Sequence, residues 1–319
     1  MHSLVYDDIT TAADRVAGHV RPVALAGPTE PGGVHLALEL MQHTGSFKAR
    51  GAQNFLLAHR EAGTLPDAGV TIASGGNAGL ACAWAAARQG VPATVFLPTT
   101  APRVKVARLR AYGADVRLVG TEYAEALAAC EEFARTTGAL ASHAYDHPLI
   151  AAGAGTLLDE IRRQVPGLDT VVVAVGGGGL FAGVATAARQ HGIRTVAVEP
   201  ENCRALDAAL RAGRPVDVTV DSVAADSLGA RRVSATAVEA ARHDGVRSVL
   251  VPDAAIVRTR QTLWDDRRLA VEHAAATALA AVTHHEQDAA GAGYRAAPGE
   301  TVCVVLCGAN TDPTDLVAP

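Results

Sequence analysis

The segment Thr170-Val171-Val172-Val173-Ala174-Val175-Gly176-Gly177-Gly178-Gly179-Leu180 decides the fold class. Its first six residues are apolar or β-branched throughout, the pattern of a strand covered on both faces. The four glycines that follow permit backbone conformations closed to other residues. They can turn their N–H groups toward one point, which suits a phosphate. A helix is expected at about Leu180 to His191, and a further strand at Thr195 to Glu199. Strand, glycine turn, helix and strand form the repeating unit of a parallel α/β sheet.

The same alternation continues on both sides. Strands are expected at Val70 to Ala73, Ala93 to Leu97 and Asp115 to Val119, and the apolar run Thr301 to Leu306 reads as another. Helices are expected at Ala78 to Gln89, Pro102 to Ala111, Tyr123 to Thr137 and about Gly155 to Gln164. Residues Gly69 to Leu118 are compact enough for a small sheet of their own. Strands around residues 171, 196, 249 and 302 would make a second sheet. The segment Arg204 to Arg232, rich in Gly, Pro and Asp, reads as loops around short helices. The expected architecture is two-lobed α/β, with two mostly parallel sheets flanked by helices. Residues 1–50 plus 145–319 would form a large domain, and residues 51–144 a small mobile one. Ligands favour the cleft between such lobes.

Composition narrows the function classes. The chain has 319 residues, 49% hydrophobic and 19% charged, so it can bury a sizeable core. A net charge of −5 with scattered Lys and Arg argues against a nucleic-acid or anionic-membrane surface. The 4% of aromatic residues argues against base stacking. Five cysteines occur without a C-x-x-C pair, an odd number that fits a reducing cytoplasm better than a disulfide framework. Met1 to Thr10 has acidic residues and no apolar core, unlike a signal peptide. The alanine-rich stretch Ala274 to Val282 is too short to cross a bilayer.

Three further motifs carry chemistry. Thr44-Gly45-Ser46-Phe47-Lys48-Ala49-Arg50-Gly51 holds one of only two lysines, Lys48 and Lys105. A lysine among apolar and small residues has its pKa lowered by desolvation, as a Schiff-base nucleophile requires. The plainer reading is a surface lysine at a helix start. Ser74-Gly75-Gly76-Asn77-Ala78-Gly79 joins a strand to a helix, offering free N–H groups and a positive helix end to a carboxylate. It also reads as a capped turn. Cys307-Gly308-Ala309-Asn310 follows an apolar strand and places a small polar side chain at the sheet's carboxyl edge. The tetraglycine keeps a rival reading. Gly177-x-Gly179-x-x-Ala182, with Glu199 22 residues beyond Gly177, matches a loose dinucleotide fingerprint.

In this order and spacing, the motifs resemble the fold-type II pyridoxal 5′-phosphate (PLP) enzymes, the tryptophan synthase β-chain-like group, and within it the serine/threonine dehydratases and serine racemases. The resemblance runs from about residue 20 to residue 312. It implies that Lys48 carries the cofactor as a Schiff base, with Phe47 packed on the ring. It implies that Asn77 bonds the ring's phenolic oxygen and that Ser74, Gly75, Gly76 and Asn77 hold the substrate carboxylate. Gly176, Gly177, Gly178, Gly179 and Leu180 would cradle the phosphate, and Cys307 would face the ring nitrogen. The implied reaction is elimination of water and then ammonia from a small serine- or threonine-like amino acid, leaving a 2-oxo acid.

The resemblance also sets expectations at single positions. Related racemases carry a second serine where this chain has Gly75, which has no proton to give. Ala78, where many relatives have histidine, points to the serine-dehydratase branch. Gly153-Ala154-Gly155-Thr156 lacks the glutamine often found in that turn, and Glu272-His273-Ala274-Ala275 lacks the usual glycine-rich step after the acid. Glu199 and the Cys203 carbonyl resemble a cation site; Ala205 replaces a further acid, so potassium is expected before magnesium. His284-His285-Glu286 reads as a solvated helix end, and Trp264-Asp265-Asp266 as helix surface. A homodimer is the family expectation, and no C-terminal regulatory module is expected. A racemase, a β-replacement synthase and a nicotinamide-dependent dehydrogenase remain the alternatives.

Overall fold

The computed structural model describes residues 3–30, 32–283 and 293–317. Ten strands occur among them: β1 (Leu25–Ala26), β2 (His35–Ala37), β3 (Val70–Ala73), β4 (Ala93–Leu97), β5 (Asp115–Leu118), β6 (Leu140–Ala141), β7 (Thr170–Ala174), β8 (Arg194–Pro200), β9 (Val246–Val251) and β10 (Val302–Val305). The helices that frame them run in order as α1 (Tyr6–Val16), α2 (Lys48–Glu61), α3 (Asn77–Gln89), α4 (Arg103–Ala111), α5 (Tyr123–Thr137) and α6 (Pro148–Gln164). Then follow α7 (Gly179–Gln190), α8 (Ala205–Ala212), α9 (Ala225–Leu228), α10 (Ala235–Ala241), α11 (Asp253–Arg267) and α12 (His273–Thr283).

The strands form two sheets. The larger has six strands in the order β1-β2-β10-β7-β8-β9, antiparallel only between β1 and β2. The smaller has four parallel strands in the order β5-β4-β3-β6. Every residue of β7 and β10 is buried, the two-faced cover that their continuous apolar sequence calls for. Each sheet has its own apolar core: Val172, Val196 and Val304 lie in one, Val70, Val95 and Trp84 in the other. Helix α2 sends Ala49, Phe55 and Leu56 into the smaller core. No helix among the described residues is long and apolar enough to cross a membrane.

The sequence reading needs two corrections. Helix α6 begins at Pro148 rather than near Gly155, because Pro148 suits a first helical turn and the His147 ring accepts from the Leu149 N–H. Gly153 to Thr156 is therefore mid-helix and not a turn. These glycines serve helix packing. A Cβ on Gly153 would lie 2.7 Å from the Arg50 carbonyl oxygen, and one on Gly155 2.7 Å from that of Gly183. A Cβ on Gly183 would lie 2.1 Å from the Ala151 oxygen, so α2, α6 and α7 approach backbone to backbone. The second correction is an omission: β1, β2 and β6 are too short to show a period in sequence, and their neighbours in the sheets complete them.

Candidate active site

Parallel strands deliver their following loops to one edge of a sheet, and the motifs collect there. The tetraglycine turn follows β7, Ser74 to Gly76 follow β3, and Cys307 to Asn310 follow β10. Lys48 is the first residue of α2. It is fixed to the β10 edge from its N-terminal side, where Ser46 bridges Gly308 and the Phe47 N–H donates to the Cys307 oxygen at 3.0 Å.

Lys48, Gly177 and Cys307 line one pocket. The Lys48 amine donates to the Ala144 oxygen at 3.0 Å and lies 4.8 Å from the centre of the Phe47 ring. Burial lowers its pKa to about 8, and the nearby Cys307 and Glu272 offset only part of that. Cys307 is buried, and burial beside Glu272 pushes its thiol well above its ordinary range. It is a neutral group at neutral pH. Helix α7 starts at Gly179, so its first amides have no intrahelical acceptor and remain available to an anion.

The tetraglycine is also tight against protein. Gly178 has φ +92°, and a Cβ there would meet the Ala237 side chain at 2.4 Å. A Cβ on Gly177 would lie 2.2 Å from the Tyr145 ring, whose hydroxyl donates to the Arg232 oxygen at 3.1 Å. Glycine is thus required here by packing as well as by any anion. Gly177→Ala should displace Tyr145 and weaken cofactor binding by about 10- to 100-fold, the usual cost of overpacking expressed as affinity. An absorbance titration of apoprotein measures it.

Asn77 is held in a network. Its side-chain amide donates to both Glu272 oxygens at 2.9 Å, and its carbonyl accepts from the Asn310 amide at 2.7 Å. The Asn310 backbone N–H donates to Glu272 at 2.8 Å, and its side chain to the Thr44 oxygen at 2.6 Å. Burial raises the Glu272 pKa against these donors. Gly75, Gly76 and Asn77 border a second pocket, which shares Asn77, Ser227 and Glu272 with the first. Ser74 stands at the strand end just before them, and its carbonyl allows no Cβ on Gly79, which would fall 1.8 Å away. A Cβ on Gly75 would lie 2.9 Å from Leu97 Cδ2, so Leu97 already fills part of the space a serine would use.

Sequence reasoning quoted Glu272 and Asn310 within motifs without giving either a role, and missed Tyr145 and Ser227 as site residues. The signal for Glu272 was an acid opening an alanine-rich helix. For Tyr145 and Ser227 no local pattern exists, since loops bring them in.

Glu199 lies apart from this group. It is fully buried, and its two oxygens accept the backbone N–H groups of Leu206 and Asp207 at 2.7 and 2.9 Å. It thereby caps α8, and burial raises its pKa to about 8. A carboxylate so enclosed is not presented to a ribose, which removes the support for the dinucleotide reading. The Cys203 thiol points to the Leu228 oxygen at 3.1 Å. No group of three His, Cys, Asp or Glu arranged for a metal occurs among the described residues. His284, His285 and Glu286 lie outside the described residues. All five cysteines are free and buried.

The residues present fit PLP: a buried amine of lowered pKa, helix-end amides on a glycine turn, and a neutral thiol meet in one pocket. Comparison with known proteins agrees. The family model described as "Pyridoxal-phosphate dependent enzyme" matches residues 21–308. A serine dehydratase-like protein of Rattus norvegicus is 38% identical over 284 residues, covering 87% of this chain and 85% of that protein. The L-threonine ammonia-lyase of Geobacter sulfurreducens is 36% identical over 318 residues, covering 97% and 76%. The solved structure of maize serine racemase superposes with a TM-score of 0.88 at 28% identity, covering 99% and 96% of the two chains.

Proposed function

The chain belongs to the family of pyridoxal-phosphate dependent enzymes, and from that premise we propose that it is a dehydratase of small β-hydroxy-α-amino acids. It removes water and then ammonia from a serine- or threonine-like substrate and leaves a 2-oxo acid. The observation that carries the reading is the Lys48 amine, buried and of lowered pKa, in the same pocket as the tetraglycine turn. The names of the rat and Geobacter relatives support the substrate class.

Lys48 would hold the cofactor, with Phe47 against its ring and the amides of Gly176 to Leu180 on its phosphate. When bound, PLP supplies an electron sink for the carbanion at Cα. The Ser74–Asn77 loop would fix the substrate carboxylate and so aim the Cα–H bond. Asn77 would also reach the ring's phenolic oxygen, its amide already oriented by Glu272 and Asn310. Lys48, freed by the incoming substrate amine, would take the Cα proton as general base. Cys307, being neutral, would leave the ring nitrogen without a carboxylate partner and favour prompt loss of the β-hydroxyl. Gly75 supports elimination over racemisation, because no side-chain hydroxyl faces the other side of Cα from that position.

The free base must be neutral to act, and its pKa is about 8. Below that value the protonated fraction of the free amine grows, so the rate at which apoprotein forms the Schiff base with PLP should fall roughly tenfold per pH unit. A pH–rate profile flat from pH 6 to 9 would contradict the role of Lys48. The function itself is tested with purified holoenzyme. It should be yellow, borohydride should join the chromophore to the peptide containing Lys48, and β-hydroxy amino acids should yield a 2-oxo acid. Protein that binds no PLP sinks the reading.

Three finer points belong to this proposal. A large unit of residues 1–50 plus 145–319 and a mobile small unit of residues 51–144 follow the two sheets and their separate cores. Glu199 and the Cys203 carbonyl would hold a monovalent cation such as potassium. Exchanging potassium for a bulky organic cation should then lower the thermal midpoint and restore it on readdition. A cytoplasmic homodimer accords with five free, buried thiols and with the family.

A further inference from the structure

Resting on the dehydratase reading, we propose that Arg108 selects substrates whose β-carbon carries a second anionic group, such as a carboxylate. Lys105 and Arg108 are three residues apart on α4 and so share a face. Both border the pocket formed with Gly75, Gly76 and Asn77. Lys105 is paired, its amine 2.7 Å from the exposed Asp226 carboxylate across that pocket, whose other carboxylate, Glu272, is held by Asn77 and the Asn310 N–H. Arg108 has no ion-pair or hydrogen-bond partner among the described residues. The loop from Ser74 to Asn77 accounts for one carboxylate, leaving the guanidinium free for another.

The approach to the pocket supports the same charge. Arg108, Leu80 and Asn310 also border an outer groove of about 560 Å³ that opens from it. Arg21 lies along this groove, and no acidic side chain among the described residues borders it, in a chain whose net charge is −5; His43 also borders it, with burial and the nearby Arg21 and Arg88 lowering its pKa toward the neutral form. Such a groove concentrates anions. A large apolar β-substituent is disfavoured, because Leu80 is the only apolar side chain among the described residues that borders the inner pocket. It would strip water from Arg108 and offer no hydrogen bond in return.

The test compares kcat/KM of PLP-loaded wild type and Arg108→Gln for serine, threonine, 3-phenylserine and 3-hydroxyaspartate. Wild type should prefer 3-hydroxyaspartate. The ratio of its kcat/KM to that of serine should fall about 10- to 100-fold in the variant, chiefly through KM. Arg108→Lys should recover part of the loss. A wild-type preference for threonine or 3-phenylserine, or a ratio unmoved by the variant, overturns the proposal. Calorimetry gives a readout independent of turnover, because aspartate and alanine have no β-hydroxyl to lose. Aspartate should bind holoprotein about tenfold more tightly than alanine, and lose that advantage in Arg108→Gln. Equal binding of the two overturns the proposal. Should no hydroxy-amino acid yield a 2-oxo acid while aspartate keeps its advantage, the dehydratase reading fails and charge selection by Arg108 stands.

Discussion

Lys48→Ala is expected to lower kcat by about 10²- to 10⁴-fold through loss of the general base alone. Loss of the cofactor attachment adds to that. The substitution should leave folding intact, and linkage gives the reason. Lys48 has a folded pKa of about 8 against an ordinary value of 10.5. Below pH 8 it is protonated in both states, and the full cost of burying the cation is present. Between pH 8 and 10.5 that cost fades as the buried amine loses its proton first. At pH 7 the alanine variant therefore removes a destabilising group, and its thermal midpoint should equal or exceed that of wild-type apoprotein. Oxo-acid release and a thermal melt measure the two effects separately. A variant that keeps wild-type turnover would refute the role, and one that fails to fold would show that the amine holds the pocket together.

The largest stability effect is expected two residues further on. Arg50 is fully buried, and its guanidinium meets Glu39 through two contacts of 2.8 Å and Glu160 through contacts of 2.7 and 2.9 Å. Burial opposes its charge, but the two carboxylates outweigh burial and hold it protonated. Glu39 is only 1% exposed. Arg50→Met would leave it buried without a cation, at a cost of about 3–5 kcal/mol. For a chain of this size, that corresponds to a fall in Tm of about 4–8 °C. Arg135→Ala is the control. Its pair with Glu132 is exposed on both sides, and the change should cost less than about 1 kcal/mol. Because Arg50 lies one half-turn from Lys48 on α2, its loss should also lower turnover in whatever fraction remains folded. Equal melting of Arg50→Met and wild type would show that the cluster contributes no net stability.

Much of the site was legible because its chemistry is local. Lys48 stood out as one of two lysines, and the tetraglycine as a run that costs backbone entropy. Strands β3, β4 and β7 and helices α3, α5 and α7 followed from apolar period, glycine C-caps and glycine turns, within a residue or two. Glu272 was not legible as a partner of Asn77, since 195 positions separate them. Neither were Tyr145 on Gly177 and Lys105 opposite Asp226, whose contacts also join residues far apart in the chain. Gly153 and Gly155 were misread as a turn, because a glycine required by helix–helix contact has the same sequence appearance as one required by a bend.

By itself the sequence determined which segments extend, which coil and which loops can hold an anion, because those properties depend on neighbouring residues along the chain. It also determined that a single amine near the start of α2 would be set among small and apolar residues. Only the tertiary structure decided how far that amine is desolvated, that Glu199 caps α8, and that Arg108 has no partner among the described residues at the mouth of the pocket. Those outcomes depend on the dielectric surroundings and on side chains brought from distant parts of the chain, and neither is encoded in any short window.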